Sequence, residues 1–419
     1  MNQNWTIKKM PEVVKWGSGG TPKATVKEYY ENGNIPWLII GDLNDEIVLK
    51  SESKITKLGL ENSSAKMLSK GTLLVAMYGS IGKLGITGIE CCANQAIAFA
   101  KELHGVTTKF MYYQMKLLKP KLISMGKGGT QKNISQTVLN SLDVIVPPIE
   151  EQELIVTKIE ELFSKLDKGV EELNKTKEQL KIYRQAVLKE AFEGKWSYDN
   201  RQSVNIETVD KTLVVELPTL PNEWEYVYLS KLGELSRGKS KHRPRNDKKL
   251  FEDGKYPFVQ TGDVKAANKY LTSYSTMYGD FGLAQSKLWK KGTLCITIAA
   301  NIAETCILGI DACFPDSVVG FDPQEDIVDR DYVRYFIEAS KIRLSAFAPA
   351  TAQKNINLTT LENLIIPYCH IDEQKYIVTE IESRLSVCDK IEQTVNESLQ
   401  KAESLRQSIL KQAFEGKLV

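Results

Sequence analysis

The chain has 419 residues, 55 Lys and Arg against 53 Asp and Glu for a formal charge of +2, with 42% hydrophobic and 26% charged residues. These values describe a soluble chain of about two to four units rather than a membrane protein or a disordered polyelectrolyte; no run of 18 apolar residues and no basic-then-apolar leader occurs at MNQNWTIKKM, so the expected compartment is the cytoplasm. Seven cysteines and three histidines lie without CxxC spacing, which argues against a disulfide framework or a zinc site and makes the cysteines small buried hydrophobes.

The first stretch, 1–148, reads as mixed. Short strand-like runs, WLII (37–40), GTLLVAMY (71–78) and DVIVPP (143–148), alternate with glycine turns and one clear helix, KFMYYQMKLL (109–118), without a βαβ rhythm. GSIGK at 79–83 has two residues between its glycines where a Walker loop needs four, so it is set aside as a phosphate loop. KLLKPKLISMGKGGTQK (116–132) contains Lys116, Lys119, Lys121, Lys127 and Lys132 and no acid. As a glycine-rich basic loop it suits close approach to phosphates; the other reading is a solvated lysine-rich loop.

From Gln152 apolar residues recur at Ile155, Ile159, Leu162, Leu166, Val170, Leu173, Leu180, Tyr183 and Val187, by threes and fours. Sustained for about 40 residues, that spacing predicts a coiled-coil seam on a helix about 60 Å long. VPP at 146–148 marks its start, and Gly194 suits a left-handed cap at its end. A polar linker follows near 197–220, including SYDNRQSVN.

Beyond residue 220 the chain repeats itself. IEEQELIVTKIEELFSKLDK (149–168) returns as IDEQKYIVTEIESRLSVCDK (371–390), and LKEAFEGK (188–195) as LKQAFEGK (410–417); about 21 of 47 positions agree over 149–195 and 371–417. KGTLLVAMYGSIGKLGITG (70–88) lies against KGTLCITIAANIAETCILG (291–309), IPWLIIGD (35–42) against YPFVQTGD (256–263), and KFMYYQMKLL against DYVRYFIEASKI (331–342). The second seam runs through Ile377, Ile381, Leu385, Cys388, Ile391, Val395, Leu399, Ala402, Leu405 and Ile409 to Gly416, with Pro367 before it. The expected fold is therefore α+β: two pseudo-twofold related mixed globular units separated by an antiparallel coiled coil of two long helices. The other arrangement packs each helix on its own unit. The expected boundaries are 1–148, a helix over 149–196, the linker 197–220, 221–368, and a second helix over 369–419.

RGKSKHRPRNDKK (237–249) holds seven Lys/Arg and one acid, Asp247, broken by Gly238 and Pro244 as in a loop. Arg237, Lys239, Lys241, Arg243 and Arg245 are candidate phosphate or base contacts, again against a solvated loop. The turn at 79–83 changes to AANIAET in the copy while its surroundings persist, as expected where two units read different sequences; Ser80, Lys83 and Asn301 are the weaker candidates. Like basic loops in two units held apart suit a bipartite duplex.

No GxSxG, HExxH, HxE with PCxxC, compact Asp/Glu–Lys cluster or Asn-Pro-Pro-Tyr type motif occurs, and Cys369–His370 and Cys306/Cys313 form no ligand or nucleophile pattern. The chain is expected to have no catalytic residues, metal or cofactor of its own. It reads as a reader.

The EQ..IV..IE..F..LD start of the first helix (Glu151 to Asp167, looser at 373–389), YRQAVLKEAFEGKW (183–196), LRQSILKQAFEGKL (405–418), GTQKNIS (129–135), ATAQKNIN (350–357) and GGTP (19–22) together resemble the specificity subunit of type I restriction–modification systems over essentially the whole chain. The copy departs at RGKSKHRP, which stands in place of GGTP. The resemblance implies two target-recognition domains, 1–148 and 221–368, each reading one half of a split double-stranded DNA sequence, and two helices whose length sets the gap. It further implies that the helices dock two modification subunits that use S-adenosylmethionine to methylate adenine, that restriction subunits can join, and that no membrane is involved. Gln131, Lys132 and Asn133, with Gln353, Lys354 and Asn355, are candidates for contacts near DNA or for ties between each unit and its helix base. Lys116, Lys119 and Lys127 join them as candidate phosphate contacts. The alternative function is a coiled-coil scaffold whose globular units bind proteins.

Overall fold

The computed structural model describes residues 4–128, 132–196, 198–210, 217–346 and 355–418. The chain forms two compact units, Met1–Lys175 with Val395–Val419, and Thr176–Thr394.

Each unit is α+β and repeats one plan. In the first, a five-stranded sheet runs in the spatial order Val14–Ser18, Ile97–Leu103, Leu73–Ala76, Leu84–Thr87, Glu46–Val48, antiparallel except for the last pair. In the second, Gly233–Arg237, Val318–Pro323, Leu294–Thr297, Thr305–Leu308 and Tyr270–Leu271 follow the same order with the same parallel edge. The central strands are buried on both faces, which their near-continuous apolar runs LLVA and LCIT require. A smaller sheet flanks each: Lys54–Ile55, Ile35–Leu38 and Cys92–Ala93 in the first unit, and Thr276–Tyr278, Tyr256–Phe258, Ala312–Cys313 and Leu288–Trp289 in the second. All seven cysteines are free and buried, and burial pushes the Cys91 thiol up to about 12.

The expected helix at 109–118 is longer: Thr108–Met125 continues through Pro120. Lys116, Lys119 and Lys121 therefore sit on a helix, and the basic-loop reading of 116–132 is corrected for its first ten residues. Phe110 to Met115 are buried all round the helix and beyond them only Leu122 is, so the lysines begin where the helix leaves the core. In the second unit the counterpart is broken into Arg330–Ala339 and Lys341–Ala346.

The long helices run Ile149–Phe192 and Ile371–Phe414. Inside the first unit, residues 155–163 share a core with 409–414, while Asp167 further along pairs with Arg406 further back. Inside the second, Arg184 reaches Asp389 at 2.6 Å and Glu392 at 3.0 Å, and 188–192 share a core with 377–381. Both segments are thus antiparallel pairs, and Arg184–Asp389 and Arg406–Asp167 are the same contact written twice. Three expected seam residues are not in a seam: Tyr183, Ile391 and Leu405 are 47%, 41% and 48% exposed. A straight helix drifts from a 3.5-residue repeat, and toward their ends these helices turn a wider face, with Val156, Phe163, Leu188 and Leu410 buried, onto the globular cores.

Two repeated motifs acquire physical roles. In the EQ pair, Gln152 and Gln374 are fully buried. Gln152 donates to the Gly105 and Pro147 carbonyls at 2.8 and 2.9 Å and accepts from Thr107 N at 2.9 Å. Gln374 donates to Ile327 and Cys369 at 3.1 and 2.8 Å and accepts from Asp329 N at 2.9 Å. Each amide fastens the first turn of a helix to the loop before the unit's own helix. At the other end, AFEGK plugs a core: Phe192 lies 5.1 Å from Tyr332 and 5.2 Å from Phe336, and Phe414 lies 5.1 Å from Phe110. Gly194 and Gly416 then take φ of 62° and 73°, with Gly194 N on Ala191 O and Lys195 N on Glu190 O, which terminates the helix in a Schellman turn. Among the described residues no helix is long and apolar enough to cross a membrane.

Candidate nucleic-acid interface

At one end of each five-stranded sheet the loops are stitched into a row by backbone hydrogen bonds. In the first unit Gly19 N donates to Ile97 O (3.1 Å), Gly20 N to Ala93 O (2.8 Å), Met77 N to Ala96 O (2.8 Å), Gly79 N to Lys132 O (3.1 Å) and Ile134 N to Met77 O (2.8 Å). Lys127 and Asn133 exchange both backbone bonds, at 3.0 and 2.8 Å. Ser80, Lys83, Lys127, Lys132 and Asn133, drawn from separate stretches of sequence, therefore come together. In the second unit Gly238 N donates to Val318 O (2.9 Å), Ile298 N to Ser317 O (3.0 Å) and Ile356 N to Ile298 O (2.9 Å), and Ala299 bridges Asn355. That joins Asn301 and Asn355 to the row that begins at Arg237. Gln131, Gln353 and Lys354 lie outside the described residues.

The central turn keeps one backbone in both units. Gly79 and Gly82 have φ of 63° and 71°; Ala300 and Ala303, which replace them, have 64° and 60°. Alanine enters this region at a steric cost, so the surrounding row holds the turn in place. Ile81 and Ile302 anchor it, at 5% and 6% exposure, and the residue just before each, Ser80 and Asn301, is set at the apex. GSIGK joins two antiparallel strands and opens no helix, so it lacks the helix N-terminus on which a phosphate loop depends.

The basic segment of the second unit is organised by one acid. Arg237 donates Nε and Nη2 to the Asp316 carbonyl at 2.9 and 2.6 Å, and Arg245 donates Nη2 to both Asp316 carboxylate oxygens at 2.8 and 2.9 Å. Arg243 donates to the carbonyls of Ser240 and His242 at 2.6 and 2.8 Å and has no acidic partner among the described residues. His242 bonds Asp247 at 2.8 Å and holds that carboxyl below the usual carboxylate range. Lys239 and Lys241 are exposed and have no acidic partner among the described residues. The Arg245–Asp316 pair is half exposed, so it contributes about 0–1 kcal/mol and orients the guanidinium more than it stabilises the fold.

Lys116 and Lys119 belong elsewhere. Lys119 packs its stem beneath Gly82 and sends its ammonium to Asp45 at 2.7 Å. Lys116 lies over the Tyr112 ring at 5.0 Å, and burial pulls its pKa down. Both line a cleft of about 860 Å³ with Glu160, Asp167, Glu171 and Glu403, acids supplied by the long helices that a window over 116–132 does not contain. Lys109, Lys168 and Arg406 line it as well, so the cleft is of mixed charge.

Sequence reasoning passed over four residues of the row. Gln95 and Asp316 occupy matching positions beside Gly19 and Gly238: Ser18 Oγ and Thr21 Oγ1 donate to Gln95, where Arg237 and Arg245 meet Asp316. Ile39 and Gln260 also match, since each backbone N–H is taken at 2.8 Å by the aspartate three residues on, Asp42 or Asp263. The signal was present as mismatches inside IPWLIIGD and YPFVQTGD.

Residues 2–181 and 221–401 each match the model of the type I restriction modification DNA specificity domain. The chain is 26% identical over 263 residues to the MjaIX specificity subunit of Methanocaldococcus jannaschii and 26% over 301 residues to the EcoBI specificity subunit of Escherichia coli, spanning 57% and 61% of those relatives' lengths and 62% and 69% of its own. It is 22% identical over 430 residues to the E. coli EcoDI specificity subunit, covering 99% of this chain and 89% of that one. In fold it resembles a chain solved in work on complex assembly and conformational transition of the type I R-M system (TM-score 0.78, 16% identity, 100% and 99% coverage) and the HsdS subunit of Thermoanaerobacter tengcongensis (TM-score 0.58, 16% identity, 100% and 98%). With two matches that together span most of its length, the chain belongs to the family of the type I restriction modification DNA specificity domain.

Proposed function

We propose that this chain is the DNA-reading subunit of a type I restriction–modification complex in a prokaryotic cytoplasm. Residues 1–148 and 221–368 each read one half of a split duplex sequence, 197–220 link them, and the helices of 149–196 and 369–419 set the gap and dock two modification subunits. Those subunits bind S-adenosylmethionine and methylate adenine, and restriction subunits can join the assembly. The chain itself only binds and positions.

One observation supports this most: the same stitched row of loops occurs twice on one frame, with different side chains each time, as two different half-sites require. Arg237, Lys239, Lys241, Arg243 and Arg245 supply phosphate or base contacts for one half-site; Ser80, Lys83, Lys127, Lys132 and Asn133 supply those for the other, and Asn301 and Asn355 extend the first group. Gln131, Gln353 and Lys354 belong to the same proposal. The specificity-subunit relatives favour DNA over a protein-binding scaffold.

The test is to remove one heptad from both long helices and map methylated adenines in host DNA. Both half-sites should persist while the gap between them changes. An unchanged gap would overturn the ruler, and loss of dependence on either half-site in the undeleted chain would overturn the reading.

A further inference from the structure

Building on the reading that each unit grips DNA, we infer that base choice is made where the two units share a backbone and change the side chain: Gln260 and Arg245 read purine edges in one half-site, and Ile39 reads a thymine methyl in the other.

The shared backbone is documented on both sides of the changed residues. Phe258 pairs in parallel with Cys313 as Trp37 does with Cys92, and Asp263 and Asp42 cap the next residues at the same 2.8 Å. Between those fixed points an exposed Gln260 replaces Ile39, which is itself 37% exposed. Ile39 keeps about a third of its surface open to water, a small apolar patch that is free to meet a partner. A methyl-bearing base edge in the major groove gives it one.

Gln260 is poised for the polar version of that contact. Among the described residues its side chain makes one hydrogen bond, a long one of 3.4 Å from Nε2 to Thr276 Oγ1, so both amide atoms remain available to the N6/N7 edge of adenine. Arg245 faces the same cleft, of about 470 Å³. Asp316 engages Nη2 and orients the guanidinium, and Nη1 and Nε, on its opposite edges, each remain a single donor for O6 or N7 of guanine. The cleft floor is Phe258 and Tyr278, 7% and 1% exposed, so their faces are covered and a base cannot stack on them. Edges are read there, and no base is inserted. In the first unit Gln95 stands where Asp316 stands in the second, and residues 1–148 contain no arginine.

The full-length chain, co-purified with its modification subunits, is used to select from randomised duplexes, alongside Gln260→Ile, Arg245→Lys and Ile39→Gln. Arg245→Lys keeps the charge and removes the planar guanidinium that Asp316 orients. Gln260→Ile and Arg245→Lys should each lower the preference at one position of a single half-site by about 5- to 150-fold, and Ile39→Gln should change one position of the other half-site, all with an unchanged gap and thermal midpoint. Base preferences identical to the parent, or a uniform loss of affinity with a shallower salt dependence, would overturn the assignment of these residues while leaving bipartite reading intact. A parent chain that selects no split sequence would overturn both.

Discussion

The two loop rows differ in charge and length, while the frames beneath them are nearly superposable in connectivity. In the first unit the segment after the edge strand is GGTP, neutral and pinned by Gln95; in the second it is a long cationic loop held by Asp316. Between them the backbone bonds at Gly19 and Gly238, the left-handed turns at 79/82 and 300/303, and the buried glutamines at 152 and 374 barely change. The difference teaches which residues build and which read. A position whose chemistry changes while its backbone stays is free of structural duty, and one that stays the same in both units is not.

That division can be broken most forcefully at the helix plugs. Phe414→Ala should destabilise the first unit, and Phe192→Ala the second, by about 3–5 kcal/mol each. Hydrogen exchange resolved by unit should show each loss confined to the core the ring enters, and equal loss in both units from either variant would contradict separate plugs. A smaller effect is expected at the helix bases. Gln152→Leu removes the partner of the Gly105 and Pro147 carbonyls and of Thr107 N–H, and Gln374→Leu that of the Cys369 carbonyl and Asp329 N–H, while Tyr368 Oη still donates to the Ile327 carbonyl at 3.1 Å; each should cost about 2–3 kcal/mol, the second somewhat less. Denaturant midpoints check it, and a large asymmetry would show that the frames are less alike than their bonds suggest. The smallest change sharpens the comparison at the turn. Gly79→Ala should cost about 1 kcal/mol, whereas Ala300→Gly should be neutral or stabilising by up to about 1 kcal/mol, as a thermal midpoint would register.

Much of this was legible in one dimension because it is local. The helices announce themselves by spacing, their ends by Gly194 and Gly416, and the duplication by LKEAFEGK and LKQAFEGK. The apex residues Ser80 and Asn301 were also visible, as changes inside a persistent frame. The acids around Lys116 and Lys119 were not legible, because a window counts only its own charges; they come from Asp45 and from helices far along the chain. Tyr183 and Leu405 misled because a repeat of threes and fours does not say where a helix stops facing its partner helix and starts facing a globular core, and Ile391, mid-helix, is exposed although its spacing fits the seam. Gln95 and Ile39 gave no signal as types, since neither glutamine nor isoleucine is diagnostic alone.

By itself the amino-acid order determined the α+β class, two copies of one plan, and long helices with their caps, since these follow from periodicity and from backbone preferences acting over a few residues. Tertiary structure alone decided which loops meet, which arginines share Asp316, which lysines are neutralised and where each terminal phenylalanine is buried. Those outcomes depend on contacts between residues many tens of positions apart, and pairing, burial and desolvation at such contacts are properties of neighbours in space that no spacing along the chain encodes.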